Sequence, residues 1–190
     1  MRILGIDPGL ARVGWAVVDQ KKKELTAIAF DCFETEKEVE TSKRLAQIYD
    51  QMMMLIRVHK PDVMAIEQLF FAINAKTAFA VSQARGVILL AGAKKRIPNY
   101  VYTPLQVKLM ITGYGRAEKD EVGKIIKRIL KLRKTPKLDD TVDALAVAIA
   151  HTLSNGTHTN KPYQKPAKNV KHTGNGVLKK VLPKSAPLSL

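Results

Sequence analysis

The order in which strand-like and helix-like segments follow one another constrains the fold of this chain most. Three segments rich in apolar and aromatic residues come first, at 2–7, 13–19 and 25–33, and they predict three consecutive strands. Apolar side chains then recur at helical spacing over 41–58 and predict an amphipathic helix. The remaining segments are predicted as a strand at 63–68, a helix at 77–93, a strand at 99–103 and helices at 105–112, 119–130 and 140–151. Thr103 followed by Pro104 predicts the N-cap and first position of the helix at 105–112. Such an order predicts an α/β domain in which helices flank a mixed five-stranded sheet.

The charge of the chain indicates what it binds. Its net charge of +15 at pH 7 and sequence pI of about 9.9 favour a polyanionic partner, for which nucleic acid is the usual choice. The single cysteine, Cys32, excludes an internal disulfide and favours a reducing compartment, so we expect a cytoplasmic protein. No membrane role is expected, because the longest apolar run, near VILLAGA, is too short to span a bilayer and the N-terminus lacks a signal-peptide layout.

The composition changes near the C-terminus and predicts two regions, a domain over 1–153 and a tail over 154–190. The tail holds seven lysines and no acidic residue, and it is rich in Pro, Gly, Asn, Ser and Thr. Such a composition buries too little apolar surface to order itself, so we expect a flexible basic tail that adds non-specific affinity for nucleic acid. A solubilising remnant with no further role is the alternative.

Four carboxylates fall where an apolar strand ends or an apolar helix begins. Asp7 and Glu67 end the first and the fourth predicted strands, and the continuous apolar run before Glu67 predicts a central strand buried on both faces. Asp140 and Asp143 are three residues apart, which places them on one face of the last helix. Three of the four have an ordinary explanation as well, whereas Asp143 already lies inside an apolar stretch of the helix and is explained less well. A hydrogen-bonded turn can follow Asp7, a basic side chain can pair with Glu67, and Asp140 or its neighbour Asp139 can act as a helix N-cap.

The four acids taken together favour a metal site. Carboxylates that converge in a low-dielectric site repel one another, and divalent cations relieve that repulsion. All-oxygen ligands select Mg²⁺ or Mn²⁺, and the lack of Cys/His clusters in the sequence argues against zinc. A basic protein with a carboxylate-bound pair of metal ions is typical of phosphodiester hydrolysis.

Six motifs, in this order along the chain, resemble the RuvC-type Holliday junction resolvases. They are GIDPG after the first strand, IEQLFF in mid-chain, QARGV on the next helix, QVK after the following strand, AEK before a basic helix, and DTVDALAVAIAH at the end. GIDPG alone is a weak signal, because actin-like ATPases and other RNase H-fold relatives also carry an Asp beside a glycine turn. The joint set covers about residues 2–151, and the tail lies outside the resemblance.

The resemblance implies an RNase H-like fold, two Mg²⁺ ions per site with Mn²⁺ as a substitute, and paired symmetric nicks across a four-way junction. It assigns the metal carboxylates to Asp7, Glu67, Asp140 and Asp143, although Asp139 adjoins Asp140 and the assignment can slip by one. Two lysines that approach the scissile phosphate in the family match Lys108 in QVK and Lys119 in AEK. Without the resemblance both would be ordinary surface lysines.

The resemblance also implies DNA contacts in the segments around IEQLFF and QARGV. Phe70 matches an aromatic residue that stacks on bases opened at the junction centre, and Phe71 either shares that role or faces the core. The alternative is that both phenylalanines pack in the core. Ile73 stands where family members often carry a lysine, which makes the nearby Lys76 the predicted contact. Arg85 in QARGV is a further predicted DNA contact.

The expected partners are four-way junction DNA, a second copy of the chain and, by resemblance alone, a RuvA–RuvB branch-migration complex. The helix at 77–93 is apolar or small nearly all round, so one face can pack on the sheet and the other on a two-fold mate. Burial within a monomer is the alternative for this helix. The rival functions are a nuclease for RNA–DNA hybrids or flaps on the same scaffold, and a non-catalytic junction-binding protein, against which the four intact carboxylates argue.

Overall fold

A mixed five-stranded sheet organises the chain, as the sequence predicts. The computed structural model describes residues 1–68, 75–134 and 136–154. The strands are β1 (Arg2–Asp7), β2 (Arg12–Lys21), β3 (Glu24–Glu34), β4 (Val63–Glu67) and β5 (Asn99–Tyr102). Their order across the sheet is β3-β2-β1-β4-β5. The first three strands pair antiparallel, whereas β4 pairs parallel with both β1 and β5.

Two helical layers cover the faces of the sheet. The helices are α1 (Thr41–His59), α2 (Ala75–Lys94), α3 (Pro104–Thr112), α4 (Lys119–Ile129) and α5 (Asp139–Leu153). Helices α1 and α2 pack with Leu4 and Ile6 of β1 in one core, which includes Ile48 and Ile88. Helices α3, α4 and α5 pack in the second core, on the face of β1 that carries Ile3. None of these helices, within the described part of the chain, is long and apolar enough to cross a membrane.

The central strands are buried on both faces. Residues Ile3 to Ile6 of β1 and Val63 to Ile66 of β4 are almost fully buried, which confirms the prediction of a central strand from the continuous apolar run before Glu67. Both strands end at the same edge of the sheet, because they run parallel with Ile6 opposite Ile66. Asp7 and Glu67, which follow these residues, therefore lie side by side at that edge.

Helix α5 lies directly on the sheet backbone. A Cβ atom on Gly5 would overlap the carbonyl oxygen of Ala144, and a Cβ atom on Gly14 would overlap the backbone of Asp140. Only glycine therefore allows the first two turns of α5 to approach β1 and β2 this closely. This contact sets the distance between the acidic first turn of α5 and the end of β1.

The N-termini of α3 and α5 are capped differently. Helix α3 begins with the predicted N-cap: the Thr103 side chain accepts from the Gln106 N–H, and the Gln106 side chain accepts from the Thr103 N–H. The alternative explanation of Asp139 or Asp140 as the N-cap of α5 is wrong. Leu138 occupies the N-cap position without a side-chain hydrogen bond, and Asp139 and Asp140 lie inside the first turn. There they suit the positive end of the helix dipole, while their oxygens face other partners.

Helix α2 is apolar all round but is covered on one side only within this chain. Ala84, Ile88 and Ala91 are fully buried against the sheet and α1. Phe79 is 69% exposed and Leu90 is 50% exposed on the other side. The expectation of a helix buried on both sides is therefore met on one side by the described residues of this chain, and the second side faces outward.

Candidate active site

Three carboxylates converge at the edge where β1 and β4 end. Asp7 is the last residue of β1, Glu67 is the last residue of β4, and Asp143 lies one turn into α5. One carboxylate oxygen from each lies within 4.8 Å of the other two, and all three side chains are partly buried. The structure thus brings together three of the four acids that the sequence singles out, and it does so through parallel strand ends and the close approach of α5.

The three carboxylates hold protons more tightly than isolated acids do. The pKa of Asp7 is raised to about 7, chiefly by burial and then by the charges of Asp143 and Asp140. The pKa of Glu67 is raised to about 9, chiefly by burial and then by the charge of Asp7. Burial also raises the pKa of Asp143, although the Lys119 charge opposes that shift. The donor set fits a divalent cation, because a cation among these oxygens would stabilise the ionised forms that burial and repulsion disfavour.

The fourth predicted ligand, Asp140, points to a different partner. Its Oδ2 lies 3.5 Å from a terminal nitrogen of Arg12, and it does not belong to the group of three within the described residues. Its charge still raises the pKa of Asp7, so it lies near that carboxylate. Asp139 faces the other side of α5, where its Oδ2 accepts from Lys119 Nζ at 3.2 Å. The role of Asp140 as a metal ligand stays a prediction, and its pairing with Arg12 was not visible in the sequence.

Two lysines stand beside the carboxylates. Lys119 Nζ lies 3.8 Å from Asp143 Oδ2 as well as 3.2 Å from Asp139 Oδ2. Partial burial lowers the pKa of Lys119, but the charges of Asp143, Asp139 and Asp7 outweigh it, and the net pKa lies above the ordinary value. The Lys108 charge lowers the pKa of Asp143, which places its ammonium near the same carboxylate. Both lysines matched by QVK and AEK therefore adjoin the acidic group.

A cavity of about 560 Å³ opens next to the carboxylates, between α3, α4 and α5. Its charged lining includes Glu67, Asp143, Lys108 and Lys119, and its apolar lining includes Val107, Val122, Val142 and Ala146. Acidic groups that can hold a cation and basic groups that can bind an anion thus line one space. Such a mixture suits a phosphodiester, since the cation and the lysines can share its negative charge.

The predicted DNA contacts differ in how much the structure says of them. Phe70 and Phe71 lie outside the described residues. Lys76 lies in the first turn of α2, and its side chain is outside the description. Arg85 is partly buried in the middle of α2 and does not line the cavity beside the carboxylates. Burial lowers the pKa of its guanidinium, and its buried Nε has no hydrogen-bond partner within the described residues.

Comparison with known proteins places the chain in a family. Residues 3–151 match the family described as crossover junction endodeoxyribonuclease RuvC. The RuvC of Brevibacillus brevis is 48% identical over 151 residues, covering 80% of this chain and 91% of the relative. The RuvC of Petrotoga mobilis is 49% identical over 151 residues, covering 80% of this chain and 93% of the relative.

A solved structure agrees with the fold. Thermus thermophilus RuvC, determined in complex with a Holliday junction substrate, is 30% identical to this chain and superposes with a TM-score of 0.80. The match covers 86% of this chain and 99% of the Thermus chain. The sheet order, the helical layers and the acidic edge therefore belong to an RNase H-like fold of this kind, as the resemblance implies. With a family match over nearly the whole described chain and relatives close to half identical, this chain belongs to the crossover junction endodeoxyribonuclease RuvC family.

Proposed function

We propose that this protein resolves four-way DNA junctions by paired symmetric nicks, using two Mg²⁺ ions per site for which Mn²⁺ can substitute. The observation that carries the proposal is the convergence of Asp7, Glu67 and Asp143 at the ends of two parallel central strands. The family is one of metal-dependent nucleases, and the chemistry of these oxygens suits a hard divalent cation. Asp140 completes the proposed ligand set from the preceding turn of the same helix.

The proposed reaction is hydrolysis of one phosphodiester bond per site. Bound divalent cations of this kind activate water and stabilise the charge that develops on the leaving oxygen. The chain's own contribution is to hold the cations through Asp7, Glu67 and Asp143. Lys119 and Lys108 donate to phosphate oxygens and stabilise the added negative charge in the transition state. Glu67 and Asp7 release their protons when a cation replaces them, so metal binding tightens as the pH rises through about 7 to 9.

The proposed assembly is a homodimer. The uncovered face of α2, with Phe79 and Leu90, supports this proposal, because large apolar side chains exposed together favour association. Two copies of the site are needed to cut two opposed strands of one junction. The Thermus relative crystallised with a Holliday junction supports four-way junction DNA as the substrate.

Three further parts of the proposal rest on the sequence and the family resemblance rather than on the site geometry. Partnership with a RuvA–RuvB branch-migration complex rests on the family resemblance alone. A cytoplasmic location is supported by the lone Cys32 and by the proposed DNA substrate. Base stacking by Phe70, with Phe71 beside it, is proposed from the matching motif IEQLFF.

The test compares a synthetic four-way junction with a linear duplex of the same sequence, in Mg²⁺ or in EDTA. The wild type is run beside Asp143→Asn and beside Asp50→Asn, an exposed control acid on α1. Denaturing gels should show paired, symmetric nicks in the junction only, which are lost in EDTA and in Asp143→Asn and kept in Asp50→Asn.

Each other result leads to a different function. Tight junction binding with no nicks in Mg²⁺ or Mn²⁺ would make the protein a binding module. Cutting of the linear duplex would make it a general nuclease. Faster cutting of an RNA–DNA hybrid or a flap than of the junction would move the substrate to another class.

A further inference from the structure

Arg44, a buried cation near the β1–β2 turn, has no carboxylate partner among the described residues. Arg44 lies in the first turn of α1 and is only 9% exposed. Its Nε donates to the Thr35 hydroxyl oxygen at 2.8 Å, and that hydroxyl donates to the Leu10 carbonyl oxygen at 2.6 Å. This chain of hydrogen bonds ties the guanidinium to the turn between β1 and β2. The Arg44 side chain is therefore fixed in place rather than free to reach solvent.

The charge of Arg44 is not neutralised by a protein acid. Among the described residues, no carboxylate oxygen comes within the 4.0 Å of an ion pair with its guanidinium. The Thr35 hydroxyl satisfies a hydrogen bond but carries no charge. A buried guanidinium without a counter-ion is costly, and proteins normally pair such a group with a carboxylate or a ligand anion. The position of Arg44 therefore calls for an anion from outside the described chain.

A second cavity, of about 730 Å³, opens beside this guanidinium. It lies between the β1–β2 turn, the start of α1 and the N-terminal part of α2. Its charged lining residues are Arg12, Lys37, Arg44 and Asp140. Three cations thus face one carboxylate, and that carboxylate already pairs with Arg12. The space is positively charged.

The first cavity carries the opposite balance. Its lining includes four acids, Glu67, Asp120, Asp139 and Asp143, and three lysines, Lys108, Lys119 and Lys124. The first turn of α5 separates the two spaces, since Asp139 lines the first cavity and Asp140 lines the second. A cation therefore suits the first cavity, and an anion suits the second. Both cavities adjoin the first turn of α5.

We propose that the second cavity binds a backbone phosphate of the junction DNA other than the phosphate that is cut. Arg44 supplies planar N–H donors that match a phosphodiester, Lys37 adds a flexible charge at the rim, and Arg12 closes the side next to Asp140. The phosphate provides the counter-charge that Arg44 lacks. The DNA strand is then bound at two places, the active-site lysines and this second cavity. It cannot slide along its axis, so the scissile bond is positioned at the metal ligands. The identity of the ligand as DNA rests on the proposed function.

The deciding variant is Lys37→Gln. Arg44 is buried, so its replacement can disturb the fold, whereas Lys37 is exposed at the rim and its replacement removes only a charge. Lys23→Gln is the matched control, because Lys23 is an exposed lysine in the β2–β3 turn, at the opposite end of the strands. Junction affinity is measured by fluorescence anisotropy in EDTA, where no strand is cut, over a range of salt concentrations.

Loss of one phosphate contact has a defined signature. The slope of log affinity against log salt should become shallower by about one for Lys37→Gln and stay unchanged for Lys23→Gln. The affinity itself should fall by up to about fivefold. A scan with neutral methylphosphonate linkages should then find one position, away from the cut site, that weakens binding by the wild type more than binding by Lys37→Gln, which has already lost one of the cations at that phosphate.

Two results would overturn the proposal. One is a Lys37→Gln protein whose affinity and salt slope equal those of Lys23→Gln. The other is a methylphosphonate scan in which every position affects both proteins equally. Binding is measured in EDTA, where no strand is cut. A failure of the proposed nuclease activity would therefore show separately, as absent nicks in Mg²⁺, and would not alter the difference in salt slope between Lys37→Gln and Lys23→Gln.

Discussion

Replacement of Glu67 by glutamine should stabilise the metal-free protein at neutral pH. Burial and the Asp7 charge raise the pKa of Glu67 to about 9, from an ordinary value of 4.5, so the folded protein keeps a proton that the unfolded chain releases. Stability is therefore greatest near the unfolded pKa and falls as the pH rises from there towards 9. Glutamine is neutral at every pH, and its amide can still donate to Asp7.

The size of the expected gain in unfolding free energy follows from the interval between pH 7 and the pKa of Glu67 in the unfolded chain. At about 1.4 kcal/mol per pH unit, the interval from 4.5 to 7 corresponds to about 3 kcal/mol of unfolding free energy. Partial exposure of Glu67 screens part of this, so the expected gain for Glu67→Gln is about 1–3 kcal/mol at pH 7. At pH 5 the interval is short, and the same variant should gain less than about 1 kcal/mol.

The measurement is urea unfolding in EDTA at pH 5, 6, 7 and 8. Glu38→Gln, at an exposed loop position, is the matched control and should follow the wild type at every pH. Addition of Mg²⁺ should stabilise the wild type and reverse the order of wild type and Glu67→Gln. A wild type equally stable at pH 5 and pH 8 without metal, or a Glu67→Gln protein less stable than it at pH 7, would refute the argument from buried, mutually repelling carboxylates.

Three other expected outcomes test the same structure. Lys119→Gln should lower the single-turnover nicking rate by about 10²–10³-fold with little change in junction affinity, as loss of a preorganised cation does. Gly14→Ala should lower the urea-unfolding free energy by roughly 2 kcal/mol or more, because its Cβ meets the Asp140 backbone, whereas Gly86→Ala on α2 meets open space and should not. Phe79→Asp should shift a dimer to a monomer on size-exclusion chromatography with multi-angle light scattering; an unchanged mass would remove α2 from the interface.

The sequence predicted the elements well where one physical cause dominated. Strands β1 and β4 carry continuous apolar runs, and a charged residue after such a run reliably marks the end of a buried strand. Parallel pairing then made Asp7 and Glu67 neighbours, which the topology of a mixed sheet allows to be foreseen. Thr103 was recognised as an N-cap because its signal is local, in the two or three residues that follow it.

Long-range charge pairs were not predictable in the same way. Asp139 and Asp140 looked like N-caps, but Lys119 from α4 and Arg12 from the β1–β2 turn face their carboxylates instead. Nothing in the sequence spacing of Arg44 shows that Thr35 and the β1–β2 turn would cover it. Such contacts depend on how the layers meet, and a single sequence carries no signal for the distance between separate layers.

The direct seating of α5 on the sheet has a consequence for how the protein tolerates change. Layers separated by side chains shift by fractions of an ångström when a core residue is replaced, because the neighbours repack. At Gly5 and Gly14 the backbones themselves touch, and no side chain lies between them to transmit or absorb such a shift. The spacing of Asp7 and Asp143 therefore depends on direct backbone contact at these two glycines. A side chain larger than hydrogen at either position would push α5 away from the sheet and lengthen the distance between the two carboxylates.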